Sequence, residues 1–299
     1  MSKHMKDFLL FALAAVIIFS FSIYRGQQSK ASLKQAEAAA LAAENAKKQA
    51  EKEKAGFLNL ESQVKAYVKD YEDNIGLCYF DLTTEKSIEI NTSKEFAAAS
   101  TVKVPMNLVL LNLAQEGKIN FDSSMEFQGS DFEGGTGILQ TQNLTGPIPL
   151  KTLSKYSIVY SDNIATQMII RKIGRERMYD SFEELLGREV PRKGNLTTTA
   201  NAADFLKLLY KNPDNNPYYA YLIENMKNTS FHDRIDKYIP QEITAHKIGN
   251  YGSYVNDIAI IYTGRPYILA VYTMGLREPE EKIAQISKMI YDYQSGLEK

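Results

Sequence analysis

Apolar residues along the chain form one unbroken block near its start and periodic patterns after it. Phe8 to Tyr24 is almost continuously apolar, with Lys3 and Lys6 before it and Arg25, Lys30 and Lys34 after. A run of that length can cross a membrane, whereas the apolar core of a cleaved signal spans about 7–15 residues. No small-x-small cleavage site follows directly. Tyr24-Arg25-Gly26 is a poor one, and Ala36-Glu37-Ala38 lies well beyond the run. An uncleaved signal anchor over residues 1–27 is expected, crossing at about 8–24, with a cleaved signal as the alternative. Basic residues flank both ends, so the charge asymmetry that orients membrane segments does not decide the topology.

Gln28 to Lys54 is rich in Ala, Glu, Lys and Gln and contains no Pro or Gly. These residues favour helix. The apolar positions are mostly alanine, with only Leu33 and Leu41 larger, whereas a coiled coil wants bulkier residues along its seam. A solvated helical stalk of about 40 Å over residues 28–56 is predicted, with Gly56 marking its end.

From Phe57 the patterns are those of a globular domain. Leu60, Val64, Tyr67, Val68 and Tyr71 share one helical face. Ile75–Asp81 and Ser87–Asn91 read as short strands around a turn at Leu82–Lys86. A mainly helical middle follows, with Val102–Gln115 (Gly117 as its C-cap), Leu150–Tyr160, Ile164–Ile173 and Ala200–Tyr210. Strands return at Ile243–His246, Val255–Tyr262 and Tyr267–Thr273. Pro279 then opens a last helix, with Ile283, Ile286, Met289, Ile290 and Tyr293 on its apolar face. The order predicts an α/β (α+β) domain over residues 57–299. Five antiparallel strands drawn from both ends of this segment would form one sheet. Terminal helices would flank it, a helical lobe would stand beside it, and a cleft would lie between the lobes.

Composition narrows the function classes. The net charge of the 299-residue chain is −1, so no nucleic-acid footprint is expected. The single cysteine, Cys78, sits in the apolar run Ile75–Phe80, cannot form an internal disulfide and reads as a small buried hydrophobe. His4, His232 and His246 show no ligand spacing, so no metal and no other cofactor are expected. The loop Gly134-Gly135-Thr136-Gly137 has no Gly-Lys-Ser/Thr and lacks the strand-then-helix context of a phosphate loop.

Candidate chemistry centres on Ser100-Thr101-Val102-Lys103, where a small-residue run gives way to an amphipathic helix. Residues three apart share a helix face, so the Lys103 amine can reach the Ser100 hydroxyl. Serine needs an adjacent base to act as a nucleophile, and a desolvated lysine can be one. Helix-start N–H groups favour a developing oxyanion. Pro105 requires that the helix begin at Thr101 or later, or open with a tight first turn. Ser62-Gln63-Val64-Lys65 has the same spacing but lies on the surface of a periodic helix. Ser161-Asp162-Asn163 precedes a helix, where all three residue types also serve as N-caps. His246-Lys247-Ile248-Gly249 ends a strand and leads into the turn Asn250-Tyr251-Gly252-Ser253. Lys54-x-Gly56 and Lys172-x-Gly174 share its spacing, but neither is placed on a strand.

In this order, Ser100-x-x-Lys103, Ser161-Asp162-Asn163 and Lys247-x-Gly249 resemble the three motifs of class A β-lactamases and penicillin-binding proteins. Gly135–Gln140 and Asn256–Ala259 look like the text that flanks those motifs in the family. The resemblance covers residues 57–299 and implies a β-lactamase/transpeptidase-like fold. It implies Ser100 as acyl-accepting nucleophile, Lys103 as its base, and Ser161 as proton relay to the leaving nitrogen. Lys247 would supply positive charge for the substrate carboxylate, and Asn163 would bind the substrate's side-chain amide. The Ser100 and Asn250 N–H groups, beside Gly249, would form the oxyanion hole. The substrate implied is a β-lactam or an acyl-D-alanyl-D-alanine stem peptide of peptidoglycan, met outside the cytoplasm at the cell membrane. Two departures stand out. Ile248 replaces the usual Thr or Ser of the third motif, and no Glu-x-x-Leu-Asn omega-loop segment occurs between Leu186 and Ala200. Glu183, Glu184 and Glu189 are the nearby carboxylates. A non-hydrolytic wall-binding module that keeps the fold is therefore the alternative to an enzyme.

Overall fold

A computed structural model describes residues 2–297. Met1 and residues 298–299, the outer ends of the expected ranges, lie outside it, as do the side chains of Lys30 and Leu33. The chain divides into two compact units, Met1–Leu58 and Asn59–Lys299. Helix α1 runs over Lys3–Val68. Within the first unit the side chains of Phe8 and Phe11 are exposed, and Lys48 pairs with Glu44 one turn before it at 2.8 Å. Gly56, the expected end of the stalk, lies inside α1. A single interior glycine costs a helix only about 1 kcal/mol and does not stop it.

In the second unit, Leu60, Val64 and Val68 of α1 are buried. The strands β1 (Ile75–Asp81), β2 (Ser87–Ile90), β3 (Phe96–Ala97), β4 (Ser124–Met125), β5 (Ile148–Pro149) and β6 (Leu196–Thr197) precede a final set, β7 (Thr244–Tyr251), β8 (Tyr254–Ile261) and β9 (Tyr267–Met274). The main sheet has the order β2-β1-β9-β8-β7, antiparallel throughout, as expected. β3 pairs with β6, and β4 with β5, as small separate ribbons. Between the strands lie α2 (Lys103–Gln115), α3 (Leu150–Val159), α4 (Asn163–Ile173), α5 (Arg175–Leu186), α6 (Thr199–Lys211) and α7 (Tyr219–Lys227), and α8 (Pro279–Gly296) closes the fold.

Both faces of the sheet are covered, so β8 and β9 are buried nearly end to end rather than alternately. Ile258, Ile260 and Ile268 join the core of the helical lobe. Their neighbours Ala259, Ile261 and Leu269 are fully buried too, as are Ile283, Ile286 and Ile290 of α8. Cys78 is the buried strand residue anticipated, and burial pushes its thiol up to about 12. The third-motif strand is longer than its sequence suggests. β7 continues through Asn250 and Tyr251, and the turn is only Gly252-Ser253, with Gly252 at φ +55° as tight hairpins require. β7 is an edge strand, so one side of its backbone has no strand partner in the main sheet.

Candidate active site

β3 delivers the chain into a 3-10 turn, Ala99–Val102, that carries Ser100 and runs into α2. Pro105 thereby falls in the first turn of α2, where its missing N–H costs nothing. Ala99 sits in the left-handed region, at φ +50°, a conformation that costs an L-residue about 1–2 kcal/mol. The surrounding contacts over-determine it. Asn195 donates from Nδ2 to the Ala99 carbonyl at 3.1 Å and accepts the Ala98 N–H on its own carbonyl at 2.7 Å. Asn256 on β8 donates to the Ala97 carbonyl at 2.8 Å. The Thr101 hydroxyl donates to Ala98 O at 2.8 Å. A Cβ on Gly249 would stand 2.7 Å from Ala98 O and 3.1 Å from Ser100 N. Only glycine lets β7 lie this close to the serine turn.

Lys103, 3% exposed, donates to Ser161 O at 2.7 Å, Asn163 Oδ1 at 2.8 Å and Ser161 Oγ at 3.3 Å. Among the described residues no hydrogen bond joins its amine to Ser100 Oγ. Such contacts are often long before a substrate arrives. Burial lowers the Lys103 amine to about 8, against the opposing charges of Glu133 and Asp162. Lys247, fully buried on β7, donates to Ser161 Oγ at 3.0 Å. Burial, and then the charge of Lys103, hold its amine well below the ordinary lysine range. One serine hydroxyl therefore stands between two depressed amines.

The second motif is gripped by the glycine loop. Asp162 caps α4 through the Ala165 N–H at 2.9 Å and accepts the Leu139 N–H at 2.8 Å. Gly137, at φ +128°, leaves no room for a Cβ, which would fall 2.4 Å from the Asp162 carboxylate. Asn163 donates from Nδ2 to Gly134 O at 2.9 Å, so its amide bridges that loop and Lys103. Ser161 is also left-handed, at φ +52°.

A cleft of about 510 Å³ opens over this cluster, with Ser100, Lys103, Asn163 and Asn250 in its lining. Ser161, Lys247 and Gly249 connect to it through the contacts above. The Ser62 site is different: Ser62 is exposed on α1, and Lys65 pairs with Glu61 at 2.7 Å. Residues 59–294 match the sequence model of the Beta-lactamase enzyme family. The chain belongs to that family. Extended-spectrum β-lactamase PER-1 of Pseudomonas aeruginosa is 20% identical over 268 residues, 79% of this chain and 87% of that protein. β-Lactamase VEB-1 of the same organism is 21% identical, over 79% and 90%. The solved structure of PBP-A superimposes with a TM-score of 0.72 at 23% identity, covering 80% of this chain and 96% of that one. TLA-1 extended-spectrum β-lactamase gives 0.73 at 22%, over 80% and 99%.

Glu183, Glu184 and Glu189, the carboxylates that the sequence offers near the cleft, face Arg192 or solvent. Glu183 turns to Arg192 and the Val190 N–H, and its carboxyl is held below the usual range by those bonds. Glu184 and Glu189 are exposed. None of the three is among the described lining residues, whereas Glu133 is. Glu133 accepts a hydrogen bond from Gln167 on α4. Glu133, Asn195 and Asn256 form no local motif. Of these, only Asn256 lay in a segment that the family resemblance marked.

Proposed function

We propose that the chain is a membrane-anchored serine acyl-hydrolase of the β-lactamase and penicillin-binding type, with residues 1–27 as anchor, 28–56 as stalk and 57–299 as the working domain. The single observation that carries this reading is the hydroxyl of Ser161 lying 3.0 Å from Lys247 Nζ and 3.3 Å from Lys103 Nζ on the cleft that Ser100 lines. In the proposed reaction neutral Lys103 takes the Ser100 proton as Oγ attacks the carbonyl of a β-lactam or D-alanyl-D-alanine peptide. The N–H groups of Ser100 and Asn250 receive the oxyanion. Ser161 passes a proton to the departing nitrogen. Asn163 orients Lys103 and the substrate amide. Burial and Lys103 disfavour the charge on Lys247, and the substrate carboxylate supports it, because an opposite charge raises a buried amine. A variant of PBP-A, a protein of the same fold, is described as an acyl-enzyme complex with penicillin G, which supports the penicillin probe used below.

The anchor rests on the helix over Lys3–Gln28, which is long and apolar enough to cross a membrane and has none of its apolar window buried. Ile248 favours a second reading, a wall-binding module without turnover, since it offers no hydroxyl to a carboxylate. Intact mass after benzylpenicillin separates the two. The enzyme reading expects one penicilloyl group per chain, lost in Ser100→Ala and kept in Ser62→Ala. No adduct on the unaltered protein favours the binding module.

A further inference from the structure

Beneath the third motif lies a side-chain cluster that the proposed reaction does not use. His246 is fully buried on β7, one residue before Lys247. Its Nδ1 is 3.1 Å from both carboxylate oxygens of Asp257 on β8. Its Nε2 faces Asp236 Oδ2 at 3.2 Å, without the alignment of a hydrogen bond. Asp236 Oδ1, in a side chain 1% exposed, has no partner among the described residues. His232 reaches the same carboxylate through Nδ1, and its side chain is 36% exposed. The donor atoms of His232, Asp236 and His246 all lie within 4.8 Å of one another. A buried polar atom left unpaired is costly, and Asp236 Oδ1 is one.

We propose that His232 Nδ1, the Asp236 carboxylate and His246 Nε2 form a binding site for a divalent transition metal of the zinc type, with Asp257 as the outer carboxylate that orients His246. With Nδ1–H donated to Asp257 and the Nε2 proton released, His246 would present an Nε2 lone pair beside Asp236, the arrangement that supporting carboxylates give to metal-binding histidines. Two imidazoles and one carboxylate suit zinc, and water reaching in beside exposed His232 can complete four ligands. Tetrahedral zinc needs donors about 3.3 Å apart, and exposed His232 has the freedom to close the gap. Two carboxylates, Asp236 and Asp257, balance the two charges of the ion. The neighbouring cation, Arg234, is turned away to Asn256 O at 2.8 Å and pairs with Asp233 at 3.3 Å. On binding, two metal–nitrogen bonds and one metal–oxygen bond form, and the proton shared by His232 Nδ1 and Asp236 and any proton on His246 Nε2 leave to solvent.

The test is titration of the full-length protein, in mild detergent, with zinc alone and with cobalt(II) as the coloured probe. One ion per chain is expected, with the absorption of tetrahedral cobalt. At saturating zinc the melting temperature should rise by about 5–10 °C. His232→Ala changes an exposed residue and should fold. It should weaken binding at least about tenfold, as should Asp236→Asn, and Asp257→Asn should weaken it by about 10–100-fold. His4→Ala should leave binding unchanged. Unsaturable binding, or a one-to-one site indifferent to His232→Ala and Asp236→Asn, overturns the proposal. Penicillin labelling is read separately, so failure here leaves the acyl-enzyme reading untouched.

Discussion

A lysine amine lowered to about 8 has a direct kinetic consequence. The shift comes from burial, which disfavours the charged form. Above pH 8 Lys103 is mostly neutral and can accept the Ser100 proton, and below it the amine is blocked. Acylation of the protein by penicillin should therefore rise about tenfold per pH unit below 8 and level off above it. Lys103→Arg keeps the charge at all these pH values, since guanidinium does not deprotonate. That variant should lose about 10²–10⁴-fold in acylation rate, the usual contribution of a general base. A pH-independent profile between 6 and 9, measured by stopped-flow labelling, would exclude Lys103 as the base. Asn163 and Ser161 hold the amine in its place, so their loss should displace it as well as remove their own contacts.

At the level of elements, the site depends on how closely two pairs of backbone segments approach. Gly249 on β7 lies against the serine turn, and Gly137 lies against the Asp162 cap of α4. Gly249→Ala must push Ala98 O away and should cost about 1–3 kcal/mol, as overpacking does. Gly137→Ala meets the same crowding and adds an unfavourable backbone region, about 1–2 kcal/mol more. At about 2–4 °C per kcal/mol for a domain of this size, both should melt several degrees lower and label poorly. Gly129→Ala, in open space, should do neither; equal melting of all three variants would refute the close-packing account. The elements themselves were largely legible, because strand and helix periods are local. Ser100, Lys103 and Ser161 stand at the edges of elements, and Lys247 inside β7, elements that patterning could locate. The extent of β7 was not legible, because Asn250 and Tyr251 resemble turn residues and their pairing with Val255 and Tyr254 is a tertiary fact. Glu133 and Asn195 were missed for the same reason. Asn195 reaches Ala99 across 96 positions of sequence, and no short pattern records that. Two histidines converging on Asp236 were hidden likewise, since His232 and His246 stand at no linear ligand spacing.

For the molecule as a whole, the proposals concern where the domain is held and how long it keeps its acyl group. The apolar helix over Lys3–Gln28 should keep the protein with membranes through alkaline carbonate, and protease added outside intact cells should release the domain. A soluble form starting between Gly26 and Ala40 would show cleavage instead. The fate of the acyl-enzyme follows from what stands around the cleft. In the proposed reaction acylation uses Ser100, Lys103 and Ser161, whereas hydrolysis of the ester needs a second base that positions water. Class A enzymes use a glutamate for that step. Here Glu183 is spent on Arg192, and the carboxylate that does line the cleft, Glu133, is exposed and bonded to Gln167. Lack of a positioned base costs about 10²–10⁴-fold. From a median turnover near 10 s⁻¹, deacylation would fall to about 0.1–0.001 s⁻¹. The penicilloyl adduct should then last from seconds to many minutes, as a pulse-chase with labelled penicillin would read directly. Hydrolysis at tens per second without a burst would mean that a carboxylate has taken up the task. Glu133→Gln would then be the first variant to make, since Glu133 is the carboxylate among the described lining residues, and its failure to slow the reaction would move the search to Glu183.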